Sequence, residues 1–282
     1  MCRFALYLGK EITVSSLLTE PENSIIHQSF HSHEREEPLN GDGFGVAWYV
    51  DGADQPAIFK DITPAWNNLN LVNLARVTKT QCLLAHVRAA TPGLPVQQLN
   101  CHPFSNGPLS FMHNGSVGGF HTIRRRLLSG LSDQAFGSIL GSTDSEHVFG
   151  IIADHVDRAA EGAHSLATMQ GSIRAAITQT EELRQQAKID EPSFLNLALT
   201  DGRRAVVSRF VSSDPDRANT LYVHSGGRYV CEEGVCRMVD DRDEGAVIIA
   251  SEPLSKDPGW DSVPPNHLVT VDEHLSVEIS AI

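Results

Sequence analysis

The amino-acid sequence predicts a layered α+β domain. Short apolar runs with alternating faces crowd the region before residue 115 and return after residue 193. Between them, apolar residues recur at helical period. That order, strands then helices then strands, suits packed layers of sheet and helix and does not suit a strictly alternating parallel fold. The 282 residues would allow one large domain or two small ones. No internal repeat or low-complexity linker divides them, and the polar stretch 212–219 has the length of a loop. A single domain over 1–282 is therefore expected.

Taken in order, residues 4–8 read as a strand. The run 44–50 follows a glycine-rich turn and puts Phe44, Val46 and Trp48 on one face. Runs 82–87 and 109–113 are two more strands. Runs 194–199 and 205–210 flank Asp201-Gly202, a pair that suits the tight primed turns of a hairpin. Runs 221–224, 246–250 and 267–271 complete a strand-rich second half. Helices are expected over 69–78, after Ser145 and from Leu166 onward. After Ser145, the residues Val148, Ile151, Ile152, His155 and Val156 share one helical face. Leu166, Met169, Ile173, Ile177 and Leu183 then repeat at nearly helical spacing.

Composition excludes several function classes. Lys+Arg is 22 against 35 Asp+Glu, a formal net charge of -13, which argues against a broad nucleic-acid or anionic-membrane surface. It leaves room for a small anionic substrate held by one buried arginine. No run approaches the ~18 apolar residues of a spanning helix, and the N-terminus lacks the pattern of a signal peptide, so a cytoplasmic protein is expected. The five cysteines are Cys2, Cys82, Cys101, Cys231 and Cys236. An odd, widely spread set does not read as a disulfide framework. Cys231 and Cys236 lack two further ligands at zinc spacing, so free thiols are expected for Cys82, Cys101, Cys231 and Cys236.

Cys2 is the residue that departs from this plain reading. Chain termini are commonly the least ordered part of a domain, yet a strand pattern starts directly behind it. Its small side chain permits removal of Met1, which would leave a thiol and an α-amine on one residue. An α-amine ordinarily titrates at ~7.7–8.0 and so accepts a proton near neutral pH, and a neighbouring base activates a thiol. One residue would then supply nucleophile and base. On position alone, an ordinary thiol near a start codon is the plainer reading.

Four further segments shift that balance. In Asn40-Gly41-Asp42-Gly43-Phe44-Gly45 the glycines suit close backbone approach; no Lys-Ser/Thr follows, so a phosphate loop and its cofactor are not indicated. In the second, Arg88 stands where a strand runs into a turn, able to grip a carboxylate in two prongs or to make a structural ion pair. The third joins Asn100-Cys101-His102-Pro103-Phe104 to Phe111-Met112-His113-Asn114-Gly115. Asn-Gly there is either a hairpin turn or a pair of N–H donors for an oxyanion. In the fourth, Asp144 precedes a helical pattern, as a cap or as an acid for a substrate ammonium.

Together and in this order these segments resemble the class II glutamine amidotransferases, a branch of the N-terminal-nucleophile hydrolases. A closer similarity, carried also by Ile62-Thr63-Pro64-Ala65-Trp66-Asn67-Asn68 and by Ile249-Ala250-Ser251-Glu252-Pro253-Leu254, is to the amidotransferase-like subunit of the fungal glutathione-degradation complex. The resemblance implies a four-layer αββα sandwich with Cys2 on a central strand. It implies Cys2 as nucleophile with its α-amine as base, Arg88 for the glutamyl α-carboxylate with Thr91 beside it, Asp144 for the α-ammonium, and Asn114 and Gly115 as the oxyanion hole. Family members often carry Trp after the arginine and His after the threonine, where this chain has Ala89 and Pro92. That departure bears on how the glutamyl group is covered.

The function implied is hydrolysis of a γ-glutamyl amide, from glutathione or a related compound, with release of glutamate. A glutaminase subunit feeding ammonia to a separate synthase, a γ-glutamyl hydrolase of ergothioneine biosynthesis and a catalytically silent interaction subunit stay open. A separate protein subunit is a possible partner; no metal, nucleic acid or membrane is expected. His27, His31 and His33 invite a metal reading but lack partner ligands at a convincing spacing. His86, His102 and His113 read as hydrogen-bonded, semi-buried side chains, and Arg124, Arg125 and Arg126 as a solvated helix face.

Overall fold

The computed structural model describes all residues except 1, 35–38, 91, 92, 94, 160–164, 233 and 242–244. In chain order the first elements are β1 (Arg3–Thr13), α1 (Ser15–Leu18), α2 (Ile25–Gln28), β2 (Phe44–Trp48), β3 (Ala57–Asp61), α3 (Leu69–Val77) and β4 (Lys79–Val87). There follow β5 (Phe104–Asn106), β6 (Leu109–Ser116), α4 (Phe120–Ser129), α5 (Asp133–Gly137), α6 (Asp144–Arg158) and α7 (Leu166–Gln186). The second strand block holds β7 (Phe194–Thr200), β8 (Ala205–Arg209), β9 (Tyr222–Gly226), β10 (Arg228–Glu232), β11 (Val235–Val239), β12 (Ala246–Ala250), β13 (Asp261–Ser262), β14 (His267–Val271) and β15 (Val277–Ala281).

Seven strands form one sheet in the order β13-β9-β12-β1-β4-β2-β3, and six form another in the order β15-β14-β8-β7-β6-β5. Alternation of side chains along each strand then sorts the apolar residues into three cores. Phe4, Leu6 and Leu8 of β1 meet Met112, Val207 and Val269 between the sheets. Ala5 and Tyr7 face the other way, onto Leu17, Leu18 and Leu71 of the first helices. Phe111 and Leu197 pack outward on Ile123, Ile152 and Ile173 of α4, α6 and α7. The result is the expected αββα sandwich. Each fully buried Leu, Ile or Phe contributes about 1.5–3 kcal/mol, so residues 4–8 anchor the chain start in the middle of the larger sheet.

The elements differ from expectation in specific places. Besides the expected α3, helices α1 and α2 precede the helical middle of the chain, but they have four residues each, too short to show a period. Asp201-Gly202 does start a hairpin, yet Thr200 pairs with Ala205, so the loop has four residues. Its Asp201 carboxylate accepts the Arg203 and Arg204 N–H groups at 2.9 and 2.8 Å. Free thiols at Cys231 and Cys236 are corrected: the two are directly opposed across the β10–β11 hairpin and form a disulfide, with Cα atoms 4.1 Å apart. Cys82 and Cys101 are buried free thiols. Arg124, Arg125 and Arg126 lie on the exposed face of α4. No helix among the described residues is long and apolar enough to cross a membrane.

Candidate functional site

Strand register brings the separate segments to one end of the sandwich. Arg3 pairs with Val87 and Phe4 with His86, while Phe44 pairs with Val87 from the other side. Cys2 and Arg88 therefore flank each other just past the paired residues. Both continue the faces of Phe4 and Leu6 and of Leu84 and His86, which point between the sheets. The Cys2 thiol donates to the Ala89 carbonyl at 3.6 Å. The Arg88 backbone stays tied to the glycine-rich segment: its N–H donates to the Gly43 carbonyl at 2.9 Å, and its carbonyl accepts from Asp42 N–H at 3.0 Å. The Asp42 carboxylate accepts from Ala90 N–H at 2.8 Å. At Gly45 a Cβ would collide with the His102 carbonyl, so the close approach expected of these glycines is real.

The smaller sheet brings its groups up from below. Asn114 and Gly115 lie inside β6, opposite Asn196 and Leu195, and do not form a hairpin turn. Gly115 has φ +154°, and a Cβ there would strike the Phe194 carbonyl. Asp144 is the first residue of α6; the cap is Thr143, whose hydroxyl accepts from Glu146 N–H at 3.2 Å. Freed from capping, the Asp144 carboxylate accepts from Val117 N–H at 2.8 Å and from Ser145 N–H at 2.9 Å. This pins Asp144 beside the end of β6. The loop before it is held by Asn100 Oδ1, which accepts from Ser142 N–H at 2.9 Å, and by the Glu146 carboxylate, which accepts from Gly141 N–H at 2.7 Å. Burial pushes the Glu146 carboxyl up, against the pull of the Leu140 and Gly141 N–H groups.

Three histidines are buried around the site: His86 faces between the sheets, and His113 faces the helices, against Ser145 of α6. His86 Nε2 is 3.2 Å from the His113 carbonyl, so Nε2 carries the proton and links β4 to β6. His113 is 2.9 Å from both Ser145 Oγ and the Phe194 carbonyl. His102 corrects the expectation of hydrogen-bonded histidines: its ring lies tilted over that of His86, centroids 4.2 Å apart, and neither nitrogen has a partner among the described residues. Burial drives the His86 pKa down to about 3 and that of His102 well below 6.5, while His113 is lowered by burial and partly restored by Asp144. All three are neutral packing groups at neutral pH.

Charge at the site is uneven. Arg3 is 2% exposed and binds the Glu252 carboxylate at 2.5 Å, with Ser32 completing the group. Its Nη1 donates to the Cys2 carbonyl at 3.0 Å. Burial alone would raise the Glu252 carboxyl, but the Ser32 hydroxyl, the Arg3 charge and the His33 N–H outweigh it and hold it low. Arg88 is 3% exposed, yet its guanidinium bonds only the Asp42 carbonyl at 3.4 Å, and no carboxylate among the described residues pairs with it. Asp144 likewise pairs with no cation among the described residues. Arg3, Ser251 and Glu252 carry no role read from the sequence; their signals are the Met1-Cys2-Arg3 start and the Ser251-Glu252-Pro253-Leu254 segment. Thr91 lies outside the described residues. Of the ligand trio Glu20, Cys231 and Cys236, the two sulfurs are spent on each other.

The chain is similar to known proteins over most of its length. Residues 16–225 match the family of the glutamine amidotransferases class-II; the match takes in Arg88, Asn114, Gly115 and Asp144, and Cys2 precedes it. The chain is 41% identical to the probable glutamine amidotransferase DUG3 of Saccharomyces cerevisiae, over 96% of this chain and 82% of that one. It is 26% identical to the gamma-glutamyl-hercynylcysteine sulfoxide hydrolase of Mycolicibacterium smegmatis, over 98% of this chain and 99% of that one. Among solved structures it resembles a glutamine aminotransferase class-II domain protein of Silicibacter pomeroyi, with TM-score 0.67 and 24% identity over 100% of this chain and 99% of that one. The glutamine phosphoribosylpyrophosphate amidotransferase of Bacillus subtilis shares the fold over 49% of its own chain, with TM-score 0.59 and 16% identity. The chain belongs to the class II glutamine amidotransferases and is an enzyme of the hydrolase type with the N-terminal-nucleophile fold.

Proposed function

We propose that this chain, as one domain, hydrolyses the γ-glutamyl amide bond of a small γ-glutamyl compound, glutathione or a relative of it, through a γ-glutamyl thioester on Cys2. The observation that carries the reading is the pair of uncompensated charges. A buried guanidinium without a counter-ion is costly, and a glutamyl α-carboxylate would neutralise Arg88. Asp144 offers the matching anion for the α-ammonium, and Thr91 completes the carboxylate end. With Met1 removed, the Cys2 α-amine takes the thiol proton and the sulfur attacks the γ-carbonyl. The C–S bond forms, the C–N bond breaks, and the leaving amine departs with the proton held by the Cys2 α-amine. Asn114 and Gly115 donate to the oxyanion meanwhile. Water, giving a proton to the Cys2 α-amine, then attacks the thioester; the C–O bond forms, the C–S bond breaks, the proton returns to the Cys2 sulfur and glutamate is released.

The relatives' names support γ-glutamyl chemistry, one of them naming a sulfoxide conjugate. The test is glutamate release by the Met1-processed protein from glutamine, glutathione and a γ-glutamyl sulfoxide conjugate, with Cys2→Ala as control. Release that vanishes in Cys2→Ala is expected. Release that persists there overturns the assignment. A requirement for an added protein subunit would appear as activity restored only by that subunit.

A further inference from the structure

Ser251 sits at the end of β12 with no solvent exposure, between the strand that carries the nucleophile and the strand that carries Asn114. Its backbone N–H donates to the Phe4 carbonyl at 3.0 Å, and its carbonyl accepts from the Thr220 hydroxyl at 2.8 Å. The side chain therefore has one place to be. Its Oγ accepts from Phe4 N–H at 3.1 Å, two residues from Cys2, and lies 3.3 Å from Asn114 Nδ2. This leaves two polar groups unserved. Asn114 Oδ1 is buried with no partner, and the Ser251 hydroxyl proton has no acceptor among the described residues. A buried C=O and a buried O–H each cost stability when left unpaired.

A half-turn of the Asn114 amide pairs both, and leaves the two Nδ2 hydrogens to be taken up by the oxyanion when it forms. The nitrogen and oxygen exchange places, Ser251 O–H donates to Oδ1, and Nδ2 with both its hydrogens takes the position that Oδ1 vacates. We infer that the Ser251 hydroxyl is a positioning residue: by donating to Asn114 Oδ1 it turns the amide N–H, and not its C=O, toward the reacting carbonyl. Phe4 N–H occupies one Oγ lone pair, and the hydroxyl proton is left to be given away, with the unpartnered Asn114 Oδ1 on the neighbouring amide to take it. The same oxygen thus fixes the distance between the nucleophile strand and the oxyanion donor. The inference rests on reading Asn114 as that donor. A carbonyl turned to the site would repel the developing oxyanion, so the orientation matters as much as the presence of the amide.

The test has two parts, and the first does not need turnover. Neutron diffraction from crystals of the deuterated wild-type protein locates amide deuterons. A deuteron of Ser251 pointing at Asn114 Oδ1 is the expected result; an Asn114 Nδ2 deuteron pointing at Ser251 Oγ overturns the inference, whatever the enzyme hydrolyses. The second part is a double-mutant cycle of Ser251→Ala and Asn114→Ala on the preferred γ-glutamyl substrate. Ser251→Ala alone should lower kcat about ten- to a hundredfold, part of the full loss of an oxyanion donor, with KM nearly unchanged. In the Asn114→Ala background the same substitution should cost less than about threefold, since its target is gone. Ser251→Thr, which keeps the hydroxyl, should recover most of kcat. Additive losses in the cycle would make Ser251 a mere packing residue and overturn the inference.

Discussion

Two buried arginines stand at the same end of the larger sheet, and they are treated in opposite ways. Arg3 and Arg88 are 2% and 3% exposed. Arg3 is fully engaged by Glu252, Ser32 and the Cys2 carbonyl. Arg88 holds one long hydrogen bond to a backbone carbonyl. The desolvation cost of a buried cation is the same order for both, so the difference lies in when it is offset. Arg3 is compensated by folding itself and locks the first residues in place. Under the proposed function Arg88 is left for a ligand, as functional sites commonly trade stability for activity.

The sharpest way to break this comparison is to remove each positive charge. Arg88→Met should cost about 3–5 kcal/mol in kcat/KM, the penalty for stripping one partner from a buried ion pair, with most of it in KM. The ligand-free Tm of that variant should hold or rise; a fall like that of an Arg3 variant would mean Arg88 is structural. Next in size, Asn114→Ala should lose about 2.7–4 kcal/mol of transition-state stabilisation. Steady-state kinetics should place that loss in kcat, in contrast to Arg88.

On the compensated side, Glu252→Gln should cost about 1–3 kcal/mol of folding stability, measured by urea unfolding, because Arg3 then faces a neutral acceptor. The sign with pH follows from the lowered Glu252 carboxyl. Its contribution is present above the unfolded glutamate value of 4.5 and is lost as pH falls through the lower folded value. The smallest effect belongs to the neutral histidines. His102 is held well below its ordinary 6.5 by burial, so the unfolded chain binds that proton first and stability falls as pH drops below 6.5. His102→Phe should remove about 0.7 kcal/mol of the wild-type loss between pH 7 and pH 6. An unchanged loss would show that His102 titrates normally.

Much of this is legible in the sequence for a physical reason. Alternation in 4–8, 82–87 and 109–113 survives because those strands face two different cores, and it carries Cys2, Arg88 and Asn114 onto the inter-sheet face. The four-residue helices α1 and α2 are shorter than the period that would reveal them. The Cys231–Cys236 bridge depends on hairpin register, which cysteine counting does not contain. Glu252 reaches Arg3 across 249 positions of chain, a contact that no local pattern encodes. Asp144 reads from sequence either as a cap or as a ligand; the structure gives capping to Thr143 and leaves the carboxylate pointing back at the β6 end.

The central claim is that Cys2, once it is the first residue, carries the glutamyl group. Intact-protein mass spectrometry after acid quench, during turnover of the preferred γ-glutamyl substrate, tests it most directly. The account predicts a chain lacking Met1 and bearing one γ-glutamyl increment, lost on treatment with hydroxylamine and absent in Cys2→Ala. A turning-over chain that keeps Met1, or an increment that persists in Cys2→Ala, would contradict it.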